Sequence, residues 1–313
     1  MLSYIFQRLA GMVTVMFLVV TIVFIIVRVA PGDPAAVMLG ADANAADIAE
    51  LRQRMGLERS LFAQYLEFMA SLMRLDLGRS IFLNQPVAEA MLERVEPTLF
   101  LSLFSLSIAC LIAIPLGIYS AFRRGSVFDQ VATALAMMAD SLPNFWLGLV
   151  LMQIFAVSMG LFPVSGYGGP GAEFGTRLTH LALPALTLGI GSSALILRFV
   201  RAAMLDVLGD DFIRTARAKG LGEAEVVLKH ALKNALVPIL TVIGMTAGAL
   251  LSGAVVTETV FGLPGIGSMV VSAVSRRDYP VIQGTLLVIA AIYVIINFTV
   301  DMLYLLVDPR VRY

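Results

Sequence analysis

Six stretches of the chain are apolar at nearly every position rather than along one face: 9–29, 99–121, 131–162, 181–197, 236–257 and 281–300. A helix rising about 1.5 Å per residue needs about 20 such residues to cross a hydrocarbon core about 30 Å thick. Five of the runs reach that length, and 181–197 sits at its short edge. Backbone N–H and C=O groups in lipid find no water, so each run must satisfy its own amides and is read as a helix. The pattern predicts an all-α membrane protein with six transmembrane helices. The first occupies 1–29, and the others lie at about 99–121, 131–159, 181–200, 236–257 and 281–304 within a membrane domain over 98–306. A short tail, 307–313, follows.

The segment between the first two spans, 30–97, is patterned differently. Residues 46–55 are amphipathic, 60–75 carry apolar residues at helical spacing, and 86–95 open on Pro86, favourable in a first turn. Gly56 and Gly78 punctuate these stretches. The segment is expected to be helical and to lie outside the membrane, either as a lid over the outer mouth or as a docking surface for an external protein. A cleavable leader is not expected. The first apolar run exceeds the about 7–15 residues of a signal core, and Pro31-Gly32-Asp33-Pro34 stands where a small-residue cleavage site would be.

Composition agrees with lipid as the main solvent: 59% of residues are hydrophobic and 14% charged, against roughly a quarter charged in soluble domains. Lys+Arg and Asp+Glu number 22 each, so net charge points to no acidic or basic partner, nucleic acid included. Placement of the basic residues is informative. Arg8, the pair Arg123 and Arg124, the group from Arg198 to Lys233, and Arg310 and Arg312 mark both termini and the even-numbered loops as cytoplasmic. Arginines within 30–97 do not contradict this, because long loops cross largely regardless of charge. Cys110 is the only cysteine, so no internal disulfide can form. His180 and His230 are expected on opposite sides of the membrane, which leaves no paired-histidine metal site and no serine–histidine pair for an intramembrane enzyme.

The loop between spans four and five, 206–235, is too polar to span and too patterned to be a linker. Asp210 or Asp211 caps a helix through Phe212, Ile213, Ala216 and Ala218, with Lys219 in its last turn and Gly220 as its stop. A second helix begins near Gly222 with Glu223 and Glu225 in its first turn, and continues into the fifth span. The product is a compact element joined rigidly to two spans, which a partner can grip as a lever.

The run Arg214-Thr215-Ala216-Arg217-Ala218-Lys219-Gly220 resembles the cytoplasmic "EAA" motif of importer permeases. Its departures at Arg214, Thr215 and Lys233 are those of the dipeptide/oligopeptide/nickel branch of ABC importers. Other segments are similar to that branch in order and spacing. They are Pro31-Gly32-Asp33-Pro34, Met55-Gly56-Leu57, Gln64-Tyr65, Asp76-Leu77-Gly78 with Ser80, and Ser141-Leu142-Pro143-Asn144-Phe145. Further along come Phe162-Pro163 with Gly166, then Glu258, Phe261, Pro264-Gly265-Ile266-Gly267, Arg277-Asp278-Tyr279-Pro280 and Asp308-Pro309. The resemblance implies a type I ABC importer permease fold in the bacterial inner membrane. The partners it implies are a homologous second permease, two ATPase subunits and a periplasmic substrate-binding protein. Arg214, Thr215, Ala216, Arg217, Lys219, Gly220, Leu221 and Glu223 would form the ATPase-coupling loop. ATP and Mg would sit on partner subunits, with no cofactor on this chain. Lysine occurs only at 219, 229 and 233, and none follows a glycine, so a phosphate-cradling Gly-Lys loop is absent. The implied cargo is a dipeptide or oligopeptide, with nickel complexes, glutathione and opines as alternatives in the same branch. An ion-coupled secondary transporter is the rival class. It would be expected to show internal repeats, which the two halves lack, and it has no use for a glycine-broken cytoplasmic loop.

Within the spans, Asp140 with Ser141 and Asn144 is expected either to line the pathway at a helix broken by Pro143, or to place Asp140 as partner to a serine or arginine of a neighbouring span. Asp301 is expected to pair with a basic residue near the membrane surface, and Glu258 and Asn297 to matter less. Gly244, Gly248 and Ser252 recur every four residues and serve either close helix packing or pore lining.

Overall fold

A computed structural model describes residues 2–29, 33–39, 43–54 and 56–307. The Pro31-Gly32, Met55 and Asp308-Pro309 portions of the motifs, and the tail, lie outside the described residues. The described chain is helical almost throughout. The order is α1 (Leu2–Val29), α2 (Pro34–Leu39), α3 (Ala45–Arg54), α4 (Leu61–Met73), α5 (Val87–Phe122), α6 (Val127–Ser141) and α7 (Asn144–Leu151), which runs on into a π-helical stretch at Met152–Ser158. Then come α8 (Phe174–Leu208), α9 (Asp211–Ala218), α10 (Glu223–Glu225), a π-helical turn (Val226–Ala231), α11 (Leu232–Phe261), α12 (Ile266–Arg276) and α13 (Tyr279–Val307).

Among the described residues, five helices are long and apolar enough to cross a membrane: α1, α5, α8, the 39-residue helix Glu223–Phe261 and α13. The expected third span departs from a single rod. It is two helices, Val127–Ser141 and Asn144–Ser158, bent by 101° at their junction. The cause is local. Leu142, which precedes Pro143, takes an extended conformation at φ −83°, ψ 129°, because a proline ring crowds the helical conformation of the residue before it.

Two other boundaries differ from expectation. The helix expected at 86–95 is not separate; it forms the first turns of α5, which continues through Pro97 and Pro115 to Phe122. The short run 181–197 is the apolar middle of the 35-residue α8, whose polar ends stay helical beyond it. Helices α3 and α4 appear where the amphipathic stretches place them, and Ser60 caps α4 by accepting from the Ala63 N–H at 3.3 Å.

Small residues set the separation of the central helices. Ala109, Ala113, Ala194, Val200, Met204, Ala235 and Ile239 form a buried cluster where α5, α8 and α11 meet. A Cβ at Gly117 would stand 2.8 Å from Val200 Cγ1, and one at Gly189 would stand 2.7 Å from Ile108 Cγ2. The stripe of small residues on α11 serves packing too. A Cβ at Gly244 would stand 2.6 Å from Val300 Cγ2, and Gly248 faces the Tyr293 ring. Without a hydrophobic drive between helices in lipid, close backbone approach supplies the dispersion contacts.

Helix α1 lies at the margin. Val20 and Val23 pack on Leu287 of α13, Phe24 packs edge-on against Tyr65 of α4, and Thr21 shares a 2.8 Å hydrogen bond with the Tyr65 hydroxyl. At its other end Arg8 pairs with Asp301 at 3.1 Å, the basic partner expected for that aspartate.

Gly117→Leu and Gly189→Leu are each expected to destabilise the chain by about 1–3 kcal/mol through overpacking. Gly175→Ala, where nothing stands within 4 Å, is expected to be neutral. Thermal unfolding in detergent checks this; unchanged midpoints in both leucine variants would remove close approach as the cause of this packing.

Candidate functional site

The glycine-broken loop folds as its pattern suggests. Asp210, in extended conformation at φ −70°, ψ 151°, precedes α9, whose Ile213 and Ala216 are buried beside Met204, Val226, Val227 and Ala231. Gly220 has φ +81°, a left-handed conformation that glycine adopts without a Cβ penalty, and nothing stands near its missing side chain. The chain then turns into α10 and, through the π-helical turn, into α11.

Across the break Arg217 donates twice to Glu223, at 2.9 and 3.2 Å, so α9 is tied to the next helix by a two-pronged ion pair. Arg214 pairs with Asp211 at 3.3 Å, and Thr215 Oγ1 donates to the Asp211 carbonyl at 3.0 Å. The eight residues expected in the coupling loop therefore form one continuous element. Ala216 and the partly buried Leu221 turn inward and anchor it, while Phe212, Arg214, Thr215, Arg217, Lys219 and Glu223 remain exposed.

A second ion pair braces this end of the molecule, and the sequence reading did not single it out. Arg201 of α8 donates to both oxygens of Asp129, at 2.6 and 2.8 Å, and the Gly125 N–H donates to the same carboxylate at 2.9 Å. Asp129 is buried, so the turn between α5 and α6 is fastened to α8 just before α9 begins. A carboxylate and an arginine beside otherwise apolar helices were the signal available.

Of the three residues expected at the broken span, Asp140 reaches Arg198 of α8 at 3.1 Å, the arginine partner foreseen as one alternative. Ser141 Oγ donates back to the Met137 carbonyl at 2.8 Å. Asn144 lies over Gly191, where a Cβ would stand 2.5 Å from its Oδ1.

At the opposite end of the bundle, short motifs far apart in the chain meet. Glu258, expected to matter little, is fully buried. Its carboxylate accepts from Thr98 Oγ1 at 2.5 Å and from the Ser268 N–H at 2.9 Å, while Thr98 itself accepts from the Ile266 N–H at 2.9 Å. Gly265 and Gly267 leave room for it: a Cβ at Gly265 would fall on the carboxylate, and one at Gly267 would stand 2.8 Å from Oε2. Asp278, also buried, accepts from Ser80 Oγ at 2.5 Å and from the Phe82 N–H at 3.3 Å. The Gly166 N–H donates to the Phe261 carbonyl at 3.0 Å. Nearby, Arg177 and the Tyr167 hydroxyl both donate to Glu96 Oε1. Burial first, then the Glu96 charge, pushes the Tyr167 hydroxyl up to about 12, so it stays a neutral donor.

Glu258→Ala leaves the Ser268 N–H and the Thr98 hydroxyl without their buried acceptor, and a cavity besides. A loss of about 3 kcal/mol or more is expected, with Glu258→Gln milder because its amide oxygen still accepts. Detergent thermal melts of the two variants check the order; an alanine variant as stable as the wild type would show that the network does not hold this end.

The model of the binding-protein-dependent transport system inner membrane component family matches residues 113–313, and the model of its N-terminal part matches residues 1–102. The glutathione transport system permease protein GsiC of Pectobacterium atrosepticum is 41% identical over 313 residues, covering 100% of both chains. The di/tripeptide transport system permease protein DppB of Pseudomonas aeruginosa is 40% identical over 334 residues, covering 100% of this chain and 99% of the relative. Among solved structures, a chain of the inward-facing MetNI methionine ABC transporter superposes with a TM-score of 0.57 at 21% identity, covering 69% of this chain and 95% of that one, which shows a shared fold. The chain belongs to the binding-protein-dependent transport system inner membrane component family, the multi-span permeases of ABC importers.

Proposed function

We propose that this chain forms, with a homologous permease, the inner-membrane pathway of an ATP-driven importer for short peptides. A periplasmic binding protein delivers the cargo, and two ATPase subunits grip α9. The termini and α9 face the cytoplasm, and the end built around Glu258 and Asp278 faces the periplasm. ATP and Mg belong to the ATPase partners. The di/tripeptide and glutathione permeases among the relatives support a peptide cargo, glutathione being itself a tripeptide.

The observation that carries the coupling role is the split character of α9. Its inner face, Ile213 and Ala216, is buried against the end of α8 and the π-helical turn that leads into α11, and its outer face presents Phe212, Arg214 and Lys219 to solvent. A displacement imposed on the outer face passes through close-packed side chains to two spans at once. The Arg217–Glu223 pair keeps the element from swinging on its glycine hinge, and the Arg201–Asp129 pair steadies the end of α8 from which it hangs. Close-packed interiors move as bodies rather than deform smoothly, which suits a lever.

Two experiments test this reading. Purification in mild detergent, followed by mass spectrometry, is expected to recover a second permease and two ATPases with this chain; recovery of the chain alone, active in ion-driven uptake without ATP, would make it a secondary transporter. At Gly220, valine in a left-handed conformation costs about 1–2 kcal/mol, whereas asparagine tolerates it. ATP-driven uptake of dialanine by the reconstituted complex is therefore expected to fall in the order Gly, Asn, Val, with membrane insertion unchanged. Full uptake by Gly220→Val would remove the hinge from the mechanism.

A further inference from the structure

Most exposed polar side chains on the described spans are compatible with lipid because they return to their own backbone. Ser107 donates to the Leu103 carbonyl at 2.8 Å, Thr299 to that of Ile295 at 2.8 Å, and Asn297 to that of Tyr293 at 2.9 Å. Asp140 and Arg198 have no such escape. They lie on spanning elements, 3.1 Å apart, and their side chains are 46% and 43% exposed. The neighbouring pair of the same two helices, Asp129 and Arg201, is different, with the carboxylate only 6% exposed. An exposed Asp or Arg on a spanning helix is costly among acyl chains, more so the deeper it lies. The surface carrying Asp140 and Arg198 is thus turned toward water or protein rather than acyl chains.

The surroundings add to this. The 101° break after Ser141 ends α6 beside Asp140. Asn144, across the break, covers Gly191, which lies two turns before Arg198 along α8. One carboxylate and one guanidinium are brought together where a span is interrupted. The set is neutral overall and made of one acceptor-only and one donor-only group. A single carboxylate beside an arginine repels a metal cation as much as it attracts one, and a lone arginine already neutralised does not draw a polyanion. A zwitterion fits, because the intramolecular pair can open and exchange partners with no net charge desolvated.

We infer that Asp140 and Arg198 form a transient cargo site for zwitterionic peptides in the translocation pathway, Asp140 receiving the α-ammonium and Arg198 the α-carboxylate. The inference rests on the peptide-importer reading and names the chemistry of its pathway.

The test uses the complete complex, with its ATPases and binding protein, in proteoliposomes with dialanine as probe. Asp140→Asn and Arg198→Gln are each expected to lower ATP-driven uptake about tenfold, roughly the loss of one charged contact. The exchanged pair, Asp140→Arg with Arg198→Asp, rebuilds a brace between α6 and α8 but inverts the site, so uptake is expected to stay low. In a Cys110→Ala background, Asp140→Cys and Ser141→Cys are expected to react with a membrane-impermeant methanethiosulfonate, more slowly when dialanine-loaded binding protein is present. Wild-type uptake in both single variants, recovery of uptake in the exchanged pair, or no labelling at either cysteine would each overturn the site. Where a charge variant does not assemble, labelling at Ser141→Cys decides, and a rate indifferent to dialanine overturns the site. A wild-type complex that hydrolyses ATP but moves no dialanine overturns the peptide reading itself, and this site with it.

Discussion

Hydrocarbon solvates neither a backbone amide nor a charge, and the architecture is an answer to that single fact. Every spanning segment is helical because a helix satisfies its own amides, and the one span that breaks does so at a proline whose predecessor is forced out of helical conformation. Among the described residues, three ion pairs join spanning helices: Asp129 with Arg201, Asp140 with Arg198, and Arg8 with Asp301 near one end of α1 and α13. Each pair also links two helices, so the groups lipid rejects become the specific connections between elements that otherwise touch only through apolar atoms.

Between those connections, packing is governed by what is missing. Gly117, Gly189, Gly244 and Gly248 remove side chains where α5, α8, α11 and α13 cross, and bulky partners such as Val200, Ile108, Val300 and Tyr293 occupy the space. A bundle packed this closely transmits displacement rather than absorbing it. Helix α9 is sunk by Ile213 and Ala216 against the end of α8 and the π-helical turn that leads into α11, so it is packed onto the ends of two long helices. At the other end, the buried carboxylates of Glu258 and Asp278 fasten loops and short helices that the apolar bundle alone would leave unattached.

The two ends differ in how readily the sequence discloses them. The α9 element is contiguous, so its apolar positions and its stop at Gly220 can be read within a dozen residues, although Asp210 stands at its start without making a side-chain cap. Glu258 was undervalued for the opposite reason. Its partner Thr98 lies 160 positions away, and nothing near either residue states that they meet. The same holds for Ser80 and Asp278, 198 positions apart, and for Asp129 and Arg201, 72 apart. The motifs around these residues were visible as short patterns, but their use as hydrogen-bond partners was not.

Sequence alone determined what depends on composition and short-range periodicity: a multi-span helical membrane protein, the glycine-hinged loop and the order of motifs that marks its family. Tertiary structure alone decided which charges pair, that Gly244 and Gly248 of the small-residue stripe pack against α13, that the third span bends by 101°, and that Glu258 is a buried keystone. The division is physical. Helix formation in lipid is imposed residue by residue by the solvent, whereas pairing and close approach depend on which faces the helices turn toward one another, and one strand of sequence does not encode that locally.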